Sequence, residues 1–194
     1  MKRFFLTIVA ASLFLGLAAQ ETPNSICLTD GYRGFAGLNV FAGIGEYPYD
    51  RFAITSVHGF QADNMFIGLG ASMQFKNNEE VYYDDEDEVA LDFVMPFFVN
   101  FNYEFPMVKL SPFVDLKLGY SVGDANGMYL LPSIGIRLSH INVWCGYNYL
   151  QSTSVYDKSY YDKDGDYHRE NKTLNHNFNS IAFGVLIDWG ARKK

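Results

Sequence analysis

Cysteine, basic charge and long apolar runs are all scarce in this sequence, and each shortage excludes a class of protein. Only Cys27 and Cys145 occur among 194 residues, so a disulfide scaffold is excluded. Fifteen lysines and arginines stand against 22 acidic residues, and the net charge of −7 disfavours nucleic-acid binding. After residue 19 no apolar run is long enough for a spanning helix, so residence in a membrane would require a closed barrel.

The amino terminus has the organisation of a secretory signal peptide. Lys2 and Arg3 are followed by an uncharged apolar run over 4–19 and then by small residues. The run is shorter than the ~20 residues of a spanning helix, which argues against a membrane anchor. We predict a signal peptide at 1–20 and a periplasmic lead-in at 21–33.

Beyond the lead-in, the chain alternates apolar residues with small or polar ones. In MFIGLGASMQF (65–75) every odd position is apolar, whereas Gly68, Gly70, Ser72 and Gln74 are small or polar and uncharged. This period of two residues is typical of β-strands. It recurs in eight segments: GFAGLNVFAGI, RFAITSVHGF, MFIGLGASMQF, VALDFVMPFFVNFNYEF, SPFVDLKLGYSV, MYLLPSIGIRL, INVWCGYNYL and FNSIAFGVLIDWG. RFAITSVHGF is strand-like through its β-branched residues, but its inward and outward positions are not distinguishable.

Most of these segments approach the ~9 to 11 residues of a tilted membrane strand. We therefore predict an all-β fold, an eight-stranded antiparallel up-and-down transmembrane β-barrel over 34–190 with a C-terminal tail at 191–194. The apolar faces would meet lipid, and the small, polar faces would fill a narrow interior. Pro96 and Pro132 lie within strands, where we expect bulges.

The connections alternate in length. QADN, PMVKL and SH are short, whereas the opposite end carries two long polar loops, 76–88 and 151–177. Outer-membrane barrels have short periplasmic turns and longer external loops. Aromatic residues are predicted to form interfacial girdles, with Tyr147, Tyr149 and Phe178 at the loop end and Phe105 and Trp189 at the turn end.

Five segments also carry a family resemblance: GYRGF (31–35), VHGFQ (57–61), SPFVDLKLGYS (111–121), LPSIGIR (131–137) and CGYNYLQ (145–151). They resemble the small porin-like outer-membrane β-barrel proteins of Bacteroidetes, over essentially the whole mature chain. The resemblance implies an eight-stranded barrel of the OmpX and OmpA-transmembrane type, in the outer membrane of a Gram-negative bacterium and without catalytic residues. The chain departs from the usual aromatic carboxyl end of such barrels, because GARKK follows Trp189.

Charged residues on the inward faces are the first candidate site. Arg or Lys facing lipid at the membrane midplane would cost ~2–4 kcal/mol, so these charges are expected inside and paired. They are Arg33, Asp92, Glu104, Asp115, Lys117, Arg137 and Asp188. We predict a salt-bridge network that plugs the barrel, with Asp188 near Arg33. The alternative is a selective ion path, which gives the second functional hypothesis, a narrow porin-like channel for ions or small solutes.

The two long loops are the second candidate site. The acidic loop EEVYYDDEDE is either a cation-binding segment or, as runs of like charge favour, a solvated one. YYDKDGDYHRENK lacks the carboxylates that a calcium loop needs at its first and twelfth places, so no metal or cofactor is predicted. Tyr156, Tyr160, Tyr161 and Tyr167 are candidates for contact with an extracellular protein or a glycan.

An enzyme is not predicted. A serine nucleophile needs its base within hydrogen-bond reach, and no histidine here has such a placed partner in the sequence. We expect a non-enzymatic outer-membrane barrel that contacts lipid and lipopolysaccharide and displays its long loops for envelope structure or surface interaction. A periplasmic, lipocalin-like binder is disfavoured, because it would expose Leu116, Ile136 and Phe183 to water.

Overall fold

The computed structural model describes residues 28–77, 82–84, 87–89, 91–105, 110–161 and 167–192. The predicted signal peptide and Cys27 lie outside these residues. The strands are β1 (Leu28–Ile44), β2 (Arg51–Ala62), β3 (Met65–Lys76), β4 (Tyr82–Asp84), β5 (Asp87–Val89), β6 (Phe93–Glu104), β7 (Ser111–Gly123), β8 (Gly127–Leu138), β9 (Ile141–Tyr161) and β10 (Tyr167–Arg192). Within the described part of the chain, no helix is long and apolar enough to cross a membrane.

Eight of the strands close into an antiparallel barrel in the order β1-β10-β9-β8-β7-β6-β3-β2. Each barrel strand pairs with the barrel strands before and after it in the chain, and β1 closes the barrel on β10. β4 and β5 form a separate two-stranded sheet. The predicted all-β, eight-stranded antiparallel barrel is therefore confirmed. Closure leaves no unpaired sheet edge around the barrel.

The two ends of the barrel differ in their connections. We call the end with connections 63–64, 105–110 and 139–140 the turn end, and the opposite end the loop end. Two of the turns are made by only two residues, and each begins with a left-handed residue, Asp63 at φ 49° and Ser139 at φ 56°. Both ends of the described chain lie at the turn end, where Leu28 pairs with Arg192.

Three segments that were predicted as lead-in or loop contain strand residues. β1 begins at Leu28, inside the predicted lead-in. The predicted loop 151–177 is instead mostly strand, because β9 continues to Tyr161 and β10 begins at Tyr167. The β4–β5 sheet occupies part of the predicted loop 76–88. All three segments are mostly polar on both alternating faces, so a search for apolar periodicity does not detect them.

The prediction of bulges at Pro96 and Pro132 is wrong. The β6–β7 and β7–β8 ladders run through both prolines without a shift of register. Pairing is interrupted only on the other side of each strand, between β3 and β6 and between β8 and β9, and it resumes in the same register. A proline removes one backbone donor, and in these strands that loss interrupts a ladder without displacing it.

Side chains alternate between the two sides of the wall as predicted. On β3, Met65, Ile67, Leu69 and Met73 point outward and are 49–69 % exposed, while the residues between them are mostly buried. Phe178 is an exception to the predicted girdles, because it is 2 % exposed and lies inside. Its even position on β10 places it on the same face as the buried residues that follow it on that strand.

Aromatic rings fill much of the interior and lie against glycines. A Cβ added at Gly70 would be 2.5 Å from the Phe98 ring, and one at Gly184 would be 2.5 Å from the Trp144 ring. Both distances are too short for a side chain, so glycine at these positions lets a ring from the neighbouring strand lie flat on the wall. The interior is thus packed with large rings set beside small residues, and not only with small and polar side chains as predicted.

Candidate functional site

A ring of four charged residues crosses the turn end of the barrel. Arg33 Nη1 lies 2.5 Å from Glu104 Oε1, and Arg33 Nη2 lies 2.7 Å from Asp188 Oδ2. Arg137 makes the same two contacts from the other side, 2.8 Å to Glu104 Oε2 and 2.6 Å to Asp188 Oδ2. We call these four residues the charge ring. Each arginine bridges both carboxylates and each carboxylate bridges both arginines, so the formal charges cancel.

The barrel topology explains how the charge ring closes. Glu104 on β6 and Asp188 on β10 come from opposite walls, and Arg33 on β1 and Arg137 on β8 come from the two sides between them. All four side chains are at most 5 % exposed. Arginine suits this position, because its planar fork can donate to two carboxylates at once.

Further polar contacts hold the two arginines in place. Arg33 Nη1 also donates to Gln61 Oε1 at 2.8 Å, and the guanidinium lies 4.4 Å from the centre of the Phe35 ring. Arg137 Nε donates to the Ser139 carbonyl at 3.1 Å. A buried ion pair persists only where such hydrogen bonds compensate for lost hydration. The charge ring is therefore a fixed structural element and not a set of mobile charges.

A second charged pair lies nearer the middle of the barrel. Lys117 Nζ and Asp115 Oδ2 form an ion pair, and Asp115 Oδ1 accepts hydrogen bonds from Asn100 at 2.6 Å and Asn102 at 3.1 Å. The ammonium group lies 5.2 Å from the Trp144 ring. This pair occupies a second level of the interior.

Arg51 forms a third level, which the sequence did not reveal. Its Nη groups donate to Gln74 Oε1 at 2.7 Å and to Ser180 Oγ at 2.9 Å, and no ion pair of Arg51 is found within the described residues. Arg51 was missed because the alternation of RFAITSVHGF is ambiguous, with Ser56 and His58 on the otherwise apolar outward face. Arg51 lies on the same alternating face as Ala53 and Thr55, which are small or polar like other inward residues. That pattern would have identified Arg51 as an inward charge.

The loop end of the interior is closed by aromatic residues. We call Tyr47, Tyr49, His176 and Phe178 the aromatic cap; their exposed fractions are 8 % or less. Ring centroids are 5.2 Å apart for Tyr47 and His176 and 5.7 Å apart for Tyr49 and Phe178. The connection 45–50 bends over the barrel mouth, and the Pro48–Tyr49 backbone lies so close to Gly43 that a Cβ there would be 2.3 Å from it.

Asp92 does not belong to the interior, so its prediction as a lumenal charge is wrong. Its side chain is 75 % exposed, and it faces Lys76 Nζ at 3.6 Å at the loop end. β6 begins at Phe93, so the alternation that we extended back to Asp92 no longer applies there. The other six predicted charges, at 33, 104, 115, 117, 137 and 188, are buried inside.

Above the loop end, β9 and β10 continue as a two-stranded ribbon. Among the described strands, residues 154–161 and 167–174 pair only with each other, whereas Leu150 still pairs with β8 and Asn179 with β1. Eight residues at about 3.3 Å each give the ribbon a length of roughly 25 Å. We call this segment the hairpin.

The predicted contact tyrosines lie on the hairpin. In the backbone register Tyr156 is opposite Lys172, Tyr160 is opposite His168, and Tyr161 is opposite Tyr167. The structure thus brings all four tyrosines onto one paired element. The sequence had placed them in an unstructured loop.

Comparison with known proteins identifies the fold but no family. No protein-family model and no curated protein matches the sequence. Among solved structures, the neisserial surface protein A (NspA) is similar, with a TM-score of 0.50 at 10% sequence identity. The similarity covers 82% of this chain and 99% of NspA.

Proposed function

We propose that this protein is a non-enzymatic outer-membrane barrel that acts as a sealed scaffold and displays the hairpin at the cell surface. The observation that carries the proposal is the combination of an interior closed at several levels with one strand pair that continues beyond the wall. A closed interior gives the barrel no path for a solute, whereas a long ribbon adds nothing to barrel closure. The part of the molecule free to contact a partner is then the hairpin.

The outer surface supports residence in a membrane. Four apolar side chains on four different strands point outward, and each is more than 60 % exposed: Leu38, Phe60, Leu69 and Ile134. Soluble monomers rarely expose contiguous apolar patches of more than a few hundred Å². A bilayer would cover these side chains, since a closed barrel satisfies its backbone hydrogen bonds internally.

The outer membrane of a Gram-negative bacterium is the membrane that fits best. The signal-like amino terminus, the even strand number and the short turns at one end are typical of outer-membrane barrels. The likeness to NspA, which is described as a surface protein, supports the same location. Membership in the porin-like barrels of Bacteroidetes, and contact with lipopolysaccharide, are part of this proposal.

The channel hypothesis is less well supported. The charge ring, the Asp115–Lys117 pair and the aromatic cap lie one above the other along the barrel, and every one of them is buried. An ion path would need at least one wetted route past each level. Small eight-stranded barrels have an interior just wide enough for side chains to fill, and this interior follows that rule.

The hairpin offers a contact surface for an extracellular protein or a glycan. Four tyrosines are concentrated on it, and tyrosine is enriched at protein interfaces. A paired ribbon also presents these residues in a fixed backbone register, which reduces the entropy lost on binding.

Surface display can be tested by tagging. An epitope inserted within 162–166 should be recognised by its antibody on intact cells, because it extends the hairpin away from the barrel. The matched control carries the same epitope between Asp63 and Asn64 at the turn end, and it should be recognised only after permeabilisation. Recognition of the turn-end tag on intact cells would contradict the proposed orientation.

A further inference from the structure

A polar group interrupts the apolar outward face of β2. Phe52, Ile54 and Phe60 on this face are 43–66 % exposed, but Ser56 and His58 stand between them. His58 pairs with Gly34 on β1, directly beside Arg33 of the charge ring. The group therefore lies on the outside of the wall, level with the charge ring inside.

Three side chains of this group form a hydrogen-bonded chain. The Tyr32 hydroxyl lies 2.6 Å from His58 Nδ1, and Ser56 Oγ lies 3.0 Å from His58 Nε2. The second contact corrects the expectation from the sequence that no histidine has a serine within hydrogen-bond reach, but the other ring nitrogen of His58 meets a tyrosine and not the carboxylate of a catalytic triad. The Tyr32 and imidazole rings lie side by side, with centroids 6.1 Å apart and planes 23° apart, and the Trp189 ring meets the imidazole edge-on at 5.9 Å. All of these rings point outward, among the aromatic residues of the turn end.

Proton counting shows that this chain has a donor to spare. With a neutral imidazole, the tyrosine, the serine and the histidine contribute three donated protons in total, and two of them make the two observed hydrogen bonds. In either tautomer, one hydroxyl proton is left over. With a protonated imidazole both ring nitrogens donate, so both hydroxyl protons are left over and a positive charge is added.

The residues paired with Ser56 on the neighbouring strands are small. Of the four residues paired with His58 and Ser56, Gly34, Ala36 and Ala71 have no side chain beyond Cβ, and the fourth is Leu69, which is 69 % exposed. The Trp189 ring lies flat over Gly34, where a Cβ would be 2.5 Å from Trp189 Cε2. Ser56 is thus flanked by Ala36 and Ala71, whereas His58 lies between Leu69 and the Trp189 ring that covers Gly34.

We infer that Tyr32, Ser56 and His58 bind the phosphodiester of a phospholipid headgroup in the leaflet at the turn end. Tyrosine and tryptophan side chains lie at headgroup level in barrel girdles, so a donor among them meets headgroups and not acyl chains. None of the three side chains is acidic, and the nearest outward carboxylate on β1, that of Asp30, accepts from the Asp63 backbone N–H. A phosphate oxygen is the strongest acceptor that the headgroup region offers to the spare donor. The inference rests on the proposed membrane location.

The test uses Trp189 as a local reporter. The mature protein is refolded into phosphatidylcholine vesicles that contain either brominated phosphatidylglycerol or a brominated galactosyl diacylglycerol, which has no phosphate. Quenching of Trp189 then gives the association of each lipid with this part of the surface. A Trp189→Phe variant measures the contribution of Trp144, which is buried in the interior.

We expect the phosphate-free lipid to associate about two- to fivefold more weakly than phosphatidylglycerol. Tyr32→Phe, Ser56→Ala and His58→Leu combined in one variant should bring this ratio to one, because no donor of the group remains. As a matched control, Tyr149→Phe removes an outward hydroxyl at the loop end, where it bonds to Asn177, and should leave the ratio unchanged.

Three results would overturn the inference. The wild-type barrel could show no preference, the triple variant could keep the preference, or added inorganic phosphate could relieve the quenching, which would assign the site to a soluble anion. Heat-modified gel mobility separates these outcomes from failure of the scaffold proposal. A chain that does not insert into vesicles overturns the membrane location itself, and this inference with it.

Discussion

At the scale of single residues, the interior depends on side chains that hold one another in fixed positions. Arg137 contacts both carboxylates of the charge ring and is 2 % exposed. Removing it would leave Glu104 and Asp188 with one arginine between them. Uncompensated buried charge is among the most costly changes that a single substitution makes.

We therefore expect Arg137→Met to lower the free energy of unfolding by about 3–5 kcal/mol, since it breaks buried ion pairs. Urea unfolding of the barrel in detergent, followed by heat-modified gel mobility, measures this change. Asp92→Asn is the matched control, because Asp92 makes an exposed ion pair and its loss should cost at most about 1 kcal/mol. Equal effects of the two variants would contradict a structural role for the charge ring.

Gly184 provides a second test at this scale. A Cβ at this position would be 2.2 Å from Asn39 Oδ1 and 2.5 Å from the Trp144 ring, so Gly184→Ala should destabilise the barrel by about 1–3 kcal/mol. Trp144 fluorescence should change at the same time, because the ring has to move.

Cys145→Ala is the control for Gly184→Ala. Cys145 is a half-buried free thiol next to Trp144 in the sequence, and its change should alter stability by no more than about 0.5 kcal/mol. If Gly184→Ala kept the stability and the fluorescence of the wild type, the packing of the Trp144 ring would not depend on the glycine.

At the scale of elements, the alternation of the sequence predicted most of the strands but not their full lengths. β3 could be predicted because its outward face is continuously apolar. The hairpin could not be predicted, because it is held by pairing between two polar strands. Such strands have no continuous apolar face from which the pairing could be inferred. Asp92 and Phe178 show the same limit at strand ends, where the alternation alone does not say whether a residue still lies within the wall.

The hairpin should be separable from the barrel. Replacing residues 155–173 with Asn-Gly, a favoured two-residue turn, removes strand pairs that no other described strand shares. We expect an unchanged urea midpoint and unchanged heat-modified mobility. A control deletion within the barrel part of β9, such as removal of 147–150, should abolish the folded band because those residues pair within the wall. Loss of the folded band in the hairpin deletion would contradict a display role.

At the scale of the whole molecule, apolar side chains face outward and charged, polar and aromatic ones fill the interior. This inverted arrangement was predictable, because the period of two residues separates the faces wherever one face is apolar. The levels inside the barrel were only partly predictable. The Arg33–Asp188 pair followed from the first and last strands meeting, whereas the position of Arg51 and the inward bend of Tyr47 and Tyr49 depend on contacts between distant strands and a loop.

The central claim is that the interior is sealed. The most direct measurement is single-channel conductance of the refolded mature protein in planar bilayers, after its heat-modified mobility has confirmed a folded barrel. We predict no discrete openings, because the charge ring, the Asp115–Lys117 pair and the aromatic cap close the interior at successive levels. Discrete openings of the folded wild-type barrel would contradict the sealed scaffold and favour the narrow channel.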